Sequence, residues 1–425
     1  MTKRSLTRSL GALLAAATLL AGCGGSGGGA DPARVRTFNA VADSEPLDLL
    51  VSDNLIAAAV APGTLTGYSD VDQGTRVVKV RSTSPGASVI SQASVNFLAG
   101  VRQTIVLRGL RSSVAPVSLS DTAAVSAAGK FKLRALNLSF DTTVYDIYVG
   151  SDDIAAATPV FAGMSYGGLI DYLELDAGSR VVIFTLAGTK DVVYRSASVE
   201  FAEREQATVA IYPARSGRLV NAALLRDSGG SVLANSRARL RLVNGIPGAT
   251  LDLKAGGAAV QSAVVYSQAS DYAETASGAR ALQVEATNVP GTALASLSAT
   301  LQPARDHTAL AWGVPGQPRL LLLADDNTIP VSASVRLRVV NALGDNVAVN
   351  ALVNFVSRAP ALAAGSAAPY VTLAASVDNT LTFTTTDGTA VVASLGTGAL
   401  AAGTVATVYL LGTSAAPVAR LVTDR

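Results

Sequence analysis

Apolar and polar residues alternate along this chain in short stretches that return in a fixed order. One stretch runs Arg34-Val35-Arg36-Thr37-Phe38-Asn39, and similar stretches occupy residues 132–137, 239–244 and 336–341. Alternation over four to eight residues is typical of a half-buried β-strand. The stretches share a central arginine and a closing asparagine, at Arg36, Arg134, Arg241 and Arg338 and at Asn39, Asn137, Asn244 and Asn341. The sequence therefore predicts four copies of one module.

Other features recur in the same order inside each copy. A second predicted strand carries an aspartate between apolar neighbours, and a tyrosine then precedes a glycine by six residues. These positions are Asp48, Asp146 and Asp252, followed by Tyr68 and Gly74, Tyr172 and Gly178, and Tyr272 and Gly278. The fourth copy diverges, because Val347-Ala348-Val349 lacks the aspartate and Tyr370 is followed by Ser376 instead of glycine. Late strands are predicted at residues 103–107, 208–212, 308–312 and 404–411, and they contain Thr104, Thr208, Thr308 and Thr404.

The short strands are separated by Gly, Pro, Asp and Ser turns, with no long segment of helical period. About seven strands in roughly 100 residues suit a two-sheet sandwich. We therefore predict an all-β protein of four tandem β-sandwich modules, immunoglobulin-like or prealbumin-like, at residues 33–121, 129–228, 236–328 and 334–425. A propeller is disfavoured because its repeats run roughly 40 to 50 residues. The joints are small and polar, so residues 130–229 are expected to unfold cooperatively as an isolated fragment.

The first 32 residues have the pattern of a bacterial export and anchoring signal. Lys3, Arg4 and Arg8 precede an apolar run at residues 10–20, which is too short to span a bilayer. Leu20-Ala21-Gly22-Cys23 then resembles a lipobox, which predicts a signal peptide at 1–22 and acylation of Cys23. Residues 23–32 are predicted to form a Gly/Ser-rich flexible tether. Gly24 after the cysteine favours the outer membrane of a bacterial envelope over the inner one.

Charge and cysteine content exclude several classes of function. Removal of residues 1–22 leaves 30 of the 33 basic residues against 31 acidic ones, so nucleic acid is not an expected partner. Cys23 is the single cysteine of the chain, which excludes an intramolecular disulfide. No cofactor is predicted.

Candidate catalytic and metal-binding residues are isolated along the chain. Gly163-Met164-Ser165-Tyr166-Gly167 matches a nucleophile elbow, but the single histidine, His307, lies in another copy. One histidine without cysteine or carboxylate partners does not predict a metal site. The acidic turns at 152–153 and 325–327 do not fit a calcium-binding loop, although calcium at a joint between modules stays open. Trp312 is expected in a core rather than on a carbohydrate-stacking platform.

Two recurring polar positions are interpreted as structural. An asparagine that ends a strand can hydrogen-bond the backbone two residues on and shape a turn. Two sets of partners compete for the second-strand aspartates. One set is the first-strand arginines, and the other is Arg76, Arg180 or Arg280 after the glycine turn. Strand pairing places Asp48 diagonal to Arg36, so the sequence favours exposed pairs of Asp48 with Arg36, Asp146 with Arg134 and Asp252 with Arg241.

The repeated pattern resembles the bacterial domain-of-unknown-function 4397 family over nearly all of the chain beyond the signal. Arg36, Asn39, Asp48, Tyr68, Gly74 and Thr104 match its module, as do the equivalent residues of the second and third copies. The resemblance implies secreted or lipid-anchored envelope proteins and says little about activity.

The favoured interpretation is a non-enzymatic, lipid-anchored envelope protein that acts as a spacer, an adhesion module or a scaffold for protein contacts. Its expected partners are the membrane, through acyl chains on Cys23, and envelope proteins or surface ligands. A module that binds a small ligand or a glycan in a cleft between repeats is the alternative, and a hydrolase using Ser165 is third.

Overall fold

The structure is a computed structural model that describes residues 31–83, 86, 88–140, 143–330 and 333–425. The predicted signal peptide and Cys23 lie outside these residues. The described chain is built of β-strands, with one 3-10 turn at Arg111–Ser113. The prediction of an all-β chain of tandem two-sheet modules is therefore confirmed. Within the described ranges, no helix has the length and apolar character needed to cross a membrane.

The first repeat shows the architecture that the others follow. Its strands are β1 (Ala33–Asn39), β2 (Leu47–Val51), β3 (Asn54–Val60), β4 (Ser69–Val71), β5 (Gly74–Ser82), β6 (Val89–Phe97), β7 (Arg102–Arg108) and β8 (Ala115–Ser120). One sheet has the order β4-β1-β7-β8 and the other has the order β3-β2-β5-β6. Strand β1 runs parallel to β7 and antiparallel to β4. We call the sheet that contains β1 the interface sheet and the other the outer sheet.

The second and third repeats reproduce these two sheets. The second contains β9 (Lys130–Asn137), β10 (Tyr145–Gly150), β11 (Phe161–Met164), β12 (Leu169–Asp176), β13 (Gly178–Leu186), β14 (Val192–Phe201), β15 (Gln206–Pro213), β16 (Val220–Arg226) and β17 (Gly229–Leu233). The third contains β18 (Arg237–Gly245), β19 (Thr250–Ala255), β20 (Ala258–Val265), β21 (Ala273–Ala276), β22 (Gly278–Ala286), β23 (Ala293–Leu301), β24 (Asp306–Val314) and β25 (Gln317–Ala324). Strand β17 lies beyond the predicted boundary at residue 228 and adds a fifth strand to the interface sheet of the second repeat.

The fourth repeat contains β26 (Ser334–Asn341), β27 (Val349–Val353), β28 (Val356–Leu362), β29 (Ser366–Ala367), β30 (Val371–Ala374), β31 (Asp378–Thr384), β32 (Val391–Ala399), β33 (Val405–Thr413) and β34 (Ala416–Thr423). Its sheets have the orders β29-β26-β33-β34, with β30 also paired to β26, and β28-β27-β31-β32. The divergent copy thus keeps both sheets.

Each repeat has its own apolar core between its two sheets. In the first repeat, Val35, Leu49, Val80 and Ile105 are fully buried members of this core. Alternation along β1 sends Val35 into that core and places Arg36 and Phe38 on the opposite face of the interface sheet.

That opposite face packs against the neighbouring repeat. One apolar cluster joins the first repeat to the second and includes Phe38, Leu136 and Tyr212, with the Phe38 and Tyr212 rings edge to face at 5.8 Å. A second cluster joins the third repeat to the fourth around Trp312 and Tyr409. The four repeats are therefore packed as two pairs, sheet against sheet.

Candidate functional site

The first-strand arginines recur in all four repeats, and all four are buried. Their exposed fractions are 3% for Arg36, 4% for Arg134, 1% for Arg241 and 4% for Arg338. Each lies directly opposite a threonine of the parallel late strand and donates to its hydroxyl through Nε. The distances are 2.8 Å from Arg36 to Thr104, 2.7 Å from Arg134 to Thr208, 2.8 Å from Arg241 to Thr308 and 3.3 Å from Arg338 to Thr407. In the fourth repeat the matching threonine is thus Thr407 rather than Thr404.

The recurring tyrosine covers the arginine in every repeat. The guanidinium carbon lies over the ring centroid at 4.6 Å for Arg36 and Tyr68, 4.8 Å for Arg134 and Tyr172, 4.5 Å for Arg241 and Tyr272, and 4.8 Å for Arg338 and Tyr370. A cation over the face of an aromatic ring is attracted by the ring quadrupole, most strongly when both are desolvated. The tyrosine therefore belongs to the arginine site.

A terminal aspartate completes each cluster and links two repeats. Asp325, at the end of the third repeat, accepts from Thr308 of its own repeat at 2.6 Å and from Arg338 of the fourth repeat at 2.6 Å. Asp424, at the end of the fourth repeat, accepts from its own Thr407 at 2.6 Å and also from Arg241 of the third repeat. The two contacts are reciprocal, so the pair is held by two crossed ion pairs.

The charge states of this buried group follow from its surroundings. Burial alone would raise the pKa of Asp325, but Arg338 and Arg241 outweigh burial and hold that pKa below its ordinary value. Burial raises the pKa of Asp424, and the nearby carboxylate of Asp325 raises it further. On acidification Asp424 therefore takes a proton before Asp325 does. Burial and Asp325 also raise the pKa of Tyr272, whose hydroxyl stays protonated and donates to Asp325 at 2.6 Å.

The pair of the first and second repeats is asymmetric. Asp121 accepts from Thr104 at 2.6 Å and from Arg134 of the second repeat at 2.8 Å, and its carboxylate lies 3.3 Å from Arg36. The reciprocal contact is missing, because Arg36 donates to the backbone carbonyl of Arg226 and the following Asp227 points elsewhere.

The predicted pairs between second-strand aspartates and first-strand arginines are wrong. Asp48 binds Arg81 at 2.7 Å, whereas Arg36 lies beside Asp121 in the buried cluster. The alternative partners also fail, since Arg76 lies 3.7 Å from Asp72, and Arg180 and Arg280 donate to backbone carbonyls four residues earlier. Alternation along the first strand correctly predicts that the arginines lie on the face opposite the core. The prediction that these arginines are exposed fails because a neighbouring repeat covers this face.

The second-strand aspartates instead hold a left-handed residue in the adjoining strand. Their carboxylate oxygens accept backbone N–H groups at 2.8 Å from Ala59 to Asp48, 2.9 Å from Gly163 to Asp146 and 2.8 Å from Ala263 to Asp252. In the fourth repeat Asn350 accepts from Ala361 at 2.9 Å. All four donors have positive φ. The fourth repeat therefore keeps this contact with an amide oxygen, and the assignment of Ala348 to this position was wrong.

The closing asparagines make the same bonds in all four repeats. The backbone N–H two residues on donates to the asparagine Oδ1, at 2.9 Å from Val41 to Asn39, 2.9 Å from Ser139 to Asn137, 2.9 Å from Ile246 to Asn244 and 3.1 Å from Leu343 to Asn341. The asparagine Nδ2 donates to a carbonyl of the outer sheet, for example from Asn244 to Val264 at 2.9 Å. The asparagine thus joins the two sheets of its repeat.

We expect Asn244→Ala to lower the free energy of unfolding by about 3 kcal/mol, because it leaves two backbone carbonyls and one backbone N–H without this hydrogen-bond partner in a buried site. Denaturant unfolding followed by the fluorescence of Trp312 measures the change. Asn288→Ala, at an exposed asparagine of the same repeat, is the matched control. A loss no larger than that of the control would contradict the assigned role.

The glycine six residues after the recurring tyrosine has a left-handed backbone conformation, which favours glycine. Gly74, Gly178 and Gly278 open a strand of the outer sheet with φ of 94°, 116° and 93°, where a side chain is strained. Ser376 takes the same place in the fourth repeat with φ of 59°. The divergent copy therefore keeps the left-handed turn without the glycine.

The remaining candidates are dispersed. Ser165 lies in the turn between β11 and β12, and His307 lies in β24 of the next repeat, where its Nε2 accepts from the backbone of Gln302 at 3.1 Å. Burial lowers the pKa of His307. Asp152 pairs with Arg195, and Asp153 caps its own turn. Among the described residues, no group of three or more histidine, cysteine, aspartate or glutamate side chains is arranged so that it could hold a metal ion.

Trp312 lies in the apolar cluster between the third and fourth repeats, with the guanidinium of Arg319 4.9 Å from its ring. Gly365 of the fourth repeat lies against the indole, and a Cβ at that glycine would stand 2.5 Å from the ring. The ring is therefore a packing element of the interface, as expected for a core residue.

A family model matches the chain three times, at residues 33–148, 140–249 and 238–350. Its description is a domain of unknown function, DUF4397. The chain belongs to the DUF4397 family. The DUF4397 matches overlap, so each matched unit extends into the first strands of the following repeat.

The DUF4397 protein has no match among the curated proteins. Among solved structures, it is similar to a streptococcal virulence factor described as binding α-glucan, with 12% identity, a TM-score of 0.17, and coverage of 42% of this chain and 93% of the other. It is also similar to the TIE protein of Bacillus anthracis, with 9% identity, a TM-score of 0.15, and coverage of 86% of this chain and 65% of the other.

Sequence reasoning missed the terminal aspartates as partners of the arginines. A signal for them was present, since Asp121, Asp325 and Asp424 each follow the late-strand threonine by 17 residues. A second signal lay beside the arginines. Phe38, Leu136, Val243 and Val340 follow them by two residues on the same strand face, where a solvent-exposed face would favour polar side chains.

Proposed function

We propose that this DUF4397 protein is a non-enzymatic, lipid-anchored scaffold of the bacterial cell envelope that holds adhesion or protein-contact surfaces at fixed positions. The observation that carries the proposal is the sheet-to-sheet packing of the repeats in pairs, each sealed by an apolar cluster and by buried arginine clusters. Domains that meet through a large apolar interface move little relative to one another.

Rigid pairing suits a scaffold. The first-strand arginines make their contacts within and between repeats. Each guanidinium contacts a threonine hydroxyl, a tyrosine ring and a carboxylate or a backbone carbonyl, as Arg36 does. These arginines recur in all four repeats, as expected if each repeat must keep the same packing geometry. A catalytic constellation would instead be expected in one copy.

The support for the lipid anchor comes from the sequence alone. Acylation at Cys23 would place the four repeats behind the predicted tether of residues 23–32, whose Gly/Ser-rich composition is typical of a linker. Several acyl chains would hold the protein stably, whereas one chain binds only marginally. Gly24 favours the outer membrane as the location.

We expect Cys23→Ser to move the protein from the membrane fraction to the soluble fraction and to abolish labelling by a fatty-acid analogue. Ser26→Ala in the tether is the matched control and should still be labelled and pellet with membranes. If the Cys23→Ser protein is labelled and pellets like the control, the lipid anchor is excluded.

A further inference from the structure

The second repeat uses its terminal aspartate differently from the other three. Strand pairing places Leu119 opposite Thr104, Leu323 opposite Thr308 and Val422 opposite Thr407, and the buried aspartate follows two residues later in each case. In the second repeat Leu225 lies opposite Thr208, so the equivalent residue is Asp227. Asp227 is exposed, whereas Asp121, Asp325 and Asp424 are buried.

The extra strand β17 explains why Asp227 lies outside the arginine cluster. Arg226 pairs with Gly229, so Asp227 and Ser228 form the two-residue turn between β16 and β17. A residue at this turn projects away from the sheet and does not reach the arginine cluster. Asp227 instead binds Arg102 of the first repeat at 2.8 Å, with 42% and 36% of the two side chains exposed.

This pair stands at a groove between the first and second repeats with a volume of 660 Å³. Small apolar residues of the linker, Ala123 and Val125, form part of its wall. The charged lining consists of three arginines and three acids: Arg102, Arg204, Arg226, Glu200, Glu205 and Asp227. Arg226 donates to the carboxylate of Glu205 and to the backbone carbonyl of Glu200, and these two bonds fix its guanidinium.

The lining selects a class of ligand by its chemistry. Three cations and three anions cancel, so a ligand with net charge of either sign gains no overall attraction. A strongly apolar ligand would strip water from six charged groups without replacing their hydrogen bonds. A ligand rich in hydroxyls can donate to the carboxylates and accept from the guanidinium groups at the same time.

We propose that this groove binds a neutral, hydroxyl-rich ligand of the carbohydrate class. The site is independent of the lipid anchor and goes beyond the scaffold function, since it uses the exposed pair of Asp227 with Arg102 and not the buried arginine clusters. In the third and fourth repeats the equivalent carboxylates are consumed by the crossed ion pairs with Arg241 and Arg338.

The test uses the full chain carrying Cys23→Ser, so that binding is measured without the membrane. An array of neutral, anionic and cationic oligosaccharides identifies the bound class, and titration calorimetry with the strongest neutral binder gives its Kd. We expect binding to neutral members, and weakening by at least about tenfold in Asp227→Ala and in Arg102→Ala, the effect of losing a hydrogen bond to a charged group.

Asp176→Ala, which breaks an exposed pair with Lys130 elsewhere in the second repeat, is the control and should bind as the parent does. Circular dichroism and Trp312 fluorescence confirm that each variant is folded. The proposal is overturned if no neutral oligosaccharide binds, if binding is confined to charged members, or if the neutral binder is unaffected by both groove substitutions. None of these outcomes bears on the membrane fractionation of the Cys23→Ser protein.

Discussion

Asp325→Ala is expected to lower the free energy of unfolding of the paired third and fourth repeats by about 3–5 kcal/mol, the cost of removing one partner from a buried ion pair. Asp325 is fully buried and accepts from Arg338, Thr308 and Tyr272, each at 2.6 Å. Its loss leaves the Arg338 guanidinium in a desolvated site without its carboxylate.

Guanidinium chloride unfolding, followed by tryptophan fluorescence, measures the free energy of unfolding of these two repeats. Trp312 is the single tryptophan of the chain and lies in the interface between these two repeats. Asp176→Ala removes a carboxylate from an exposed pair and should leave the transition nearly unchanged. If Asp325→Ala shifts the transition no more than this control, the buried cluster does not hold the pair together.

The second large effect concerns separation of the repeats. We expect residues 130–235 to unfold cooperatively, because the second repeat has its own core around Phe131, Phe184 and Phe201. The isolated repeat should nevertheless be less stable than the pair 31–235 by on the order of 5 kcal/mol. Leu136, Tyr212 and their neighbours in the shared cluster would become exposed, and each large apolar side chain contributes about 1.5–3 kcal/mol when fully buried.

Urea unfolding followed by circular dichroism compares the fragments. The matched control joins the second repeat to the third, as residues 130–328. These repeats meet through a small cluster of Ala214, Leu219 and Ala304 and through polar contacts such as Ser216 with Asp306. This control should gain less stability than the pair 31–235. Equal stability of all three fragments would mean that the paired packing contributes nothing.

Much of the fold could be predicted from the sequence because strand alternation and turn chemistry are local. The spacing of the asparagines gave the four modules, and the role of Asn39 in a turn two residues on needs only its own backbone. Repeat boundaries were less accessible. Strand β17 is a short stretch with two glycines, Gly229–Leu233, and it forms because β16 offers it an edge.

The partners of the buried charged residues could not be derived from alternation within one strand, because these partners depend on which surface of one repeat covers which surface of the next. Local alternation alone determined that Arg36 and Phe38 share the strand face opposite Val35, and it determined this correctly. The tertiary structure alone decided that a second repeat covers this face, which turns an exposed arginine into a buried one that needs a carboxylate from far along the chain. Asp121 meets Arg134, and Asp424 meets Arg241, only because two folded repeats pack sheet against sheet. Pairing between distant residues is fixed by that packing, and no periodicity within a single strand records it.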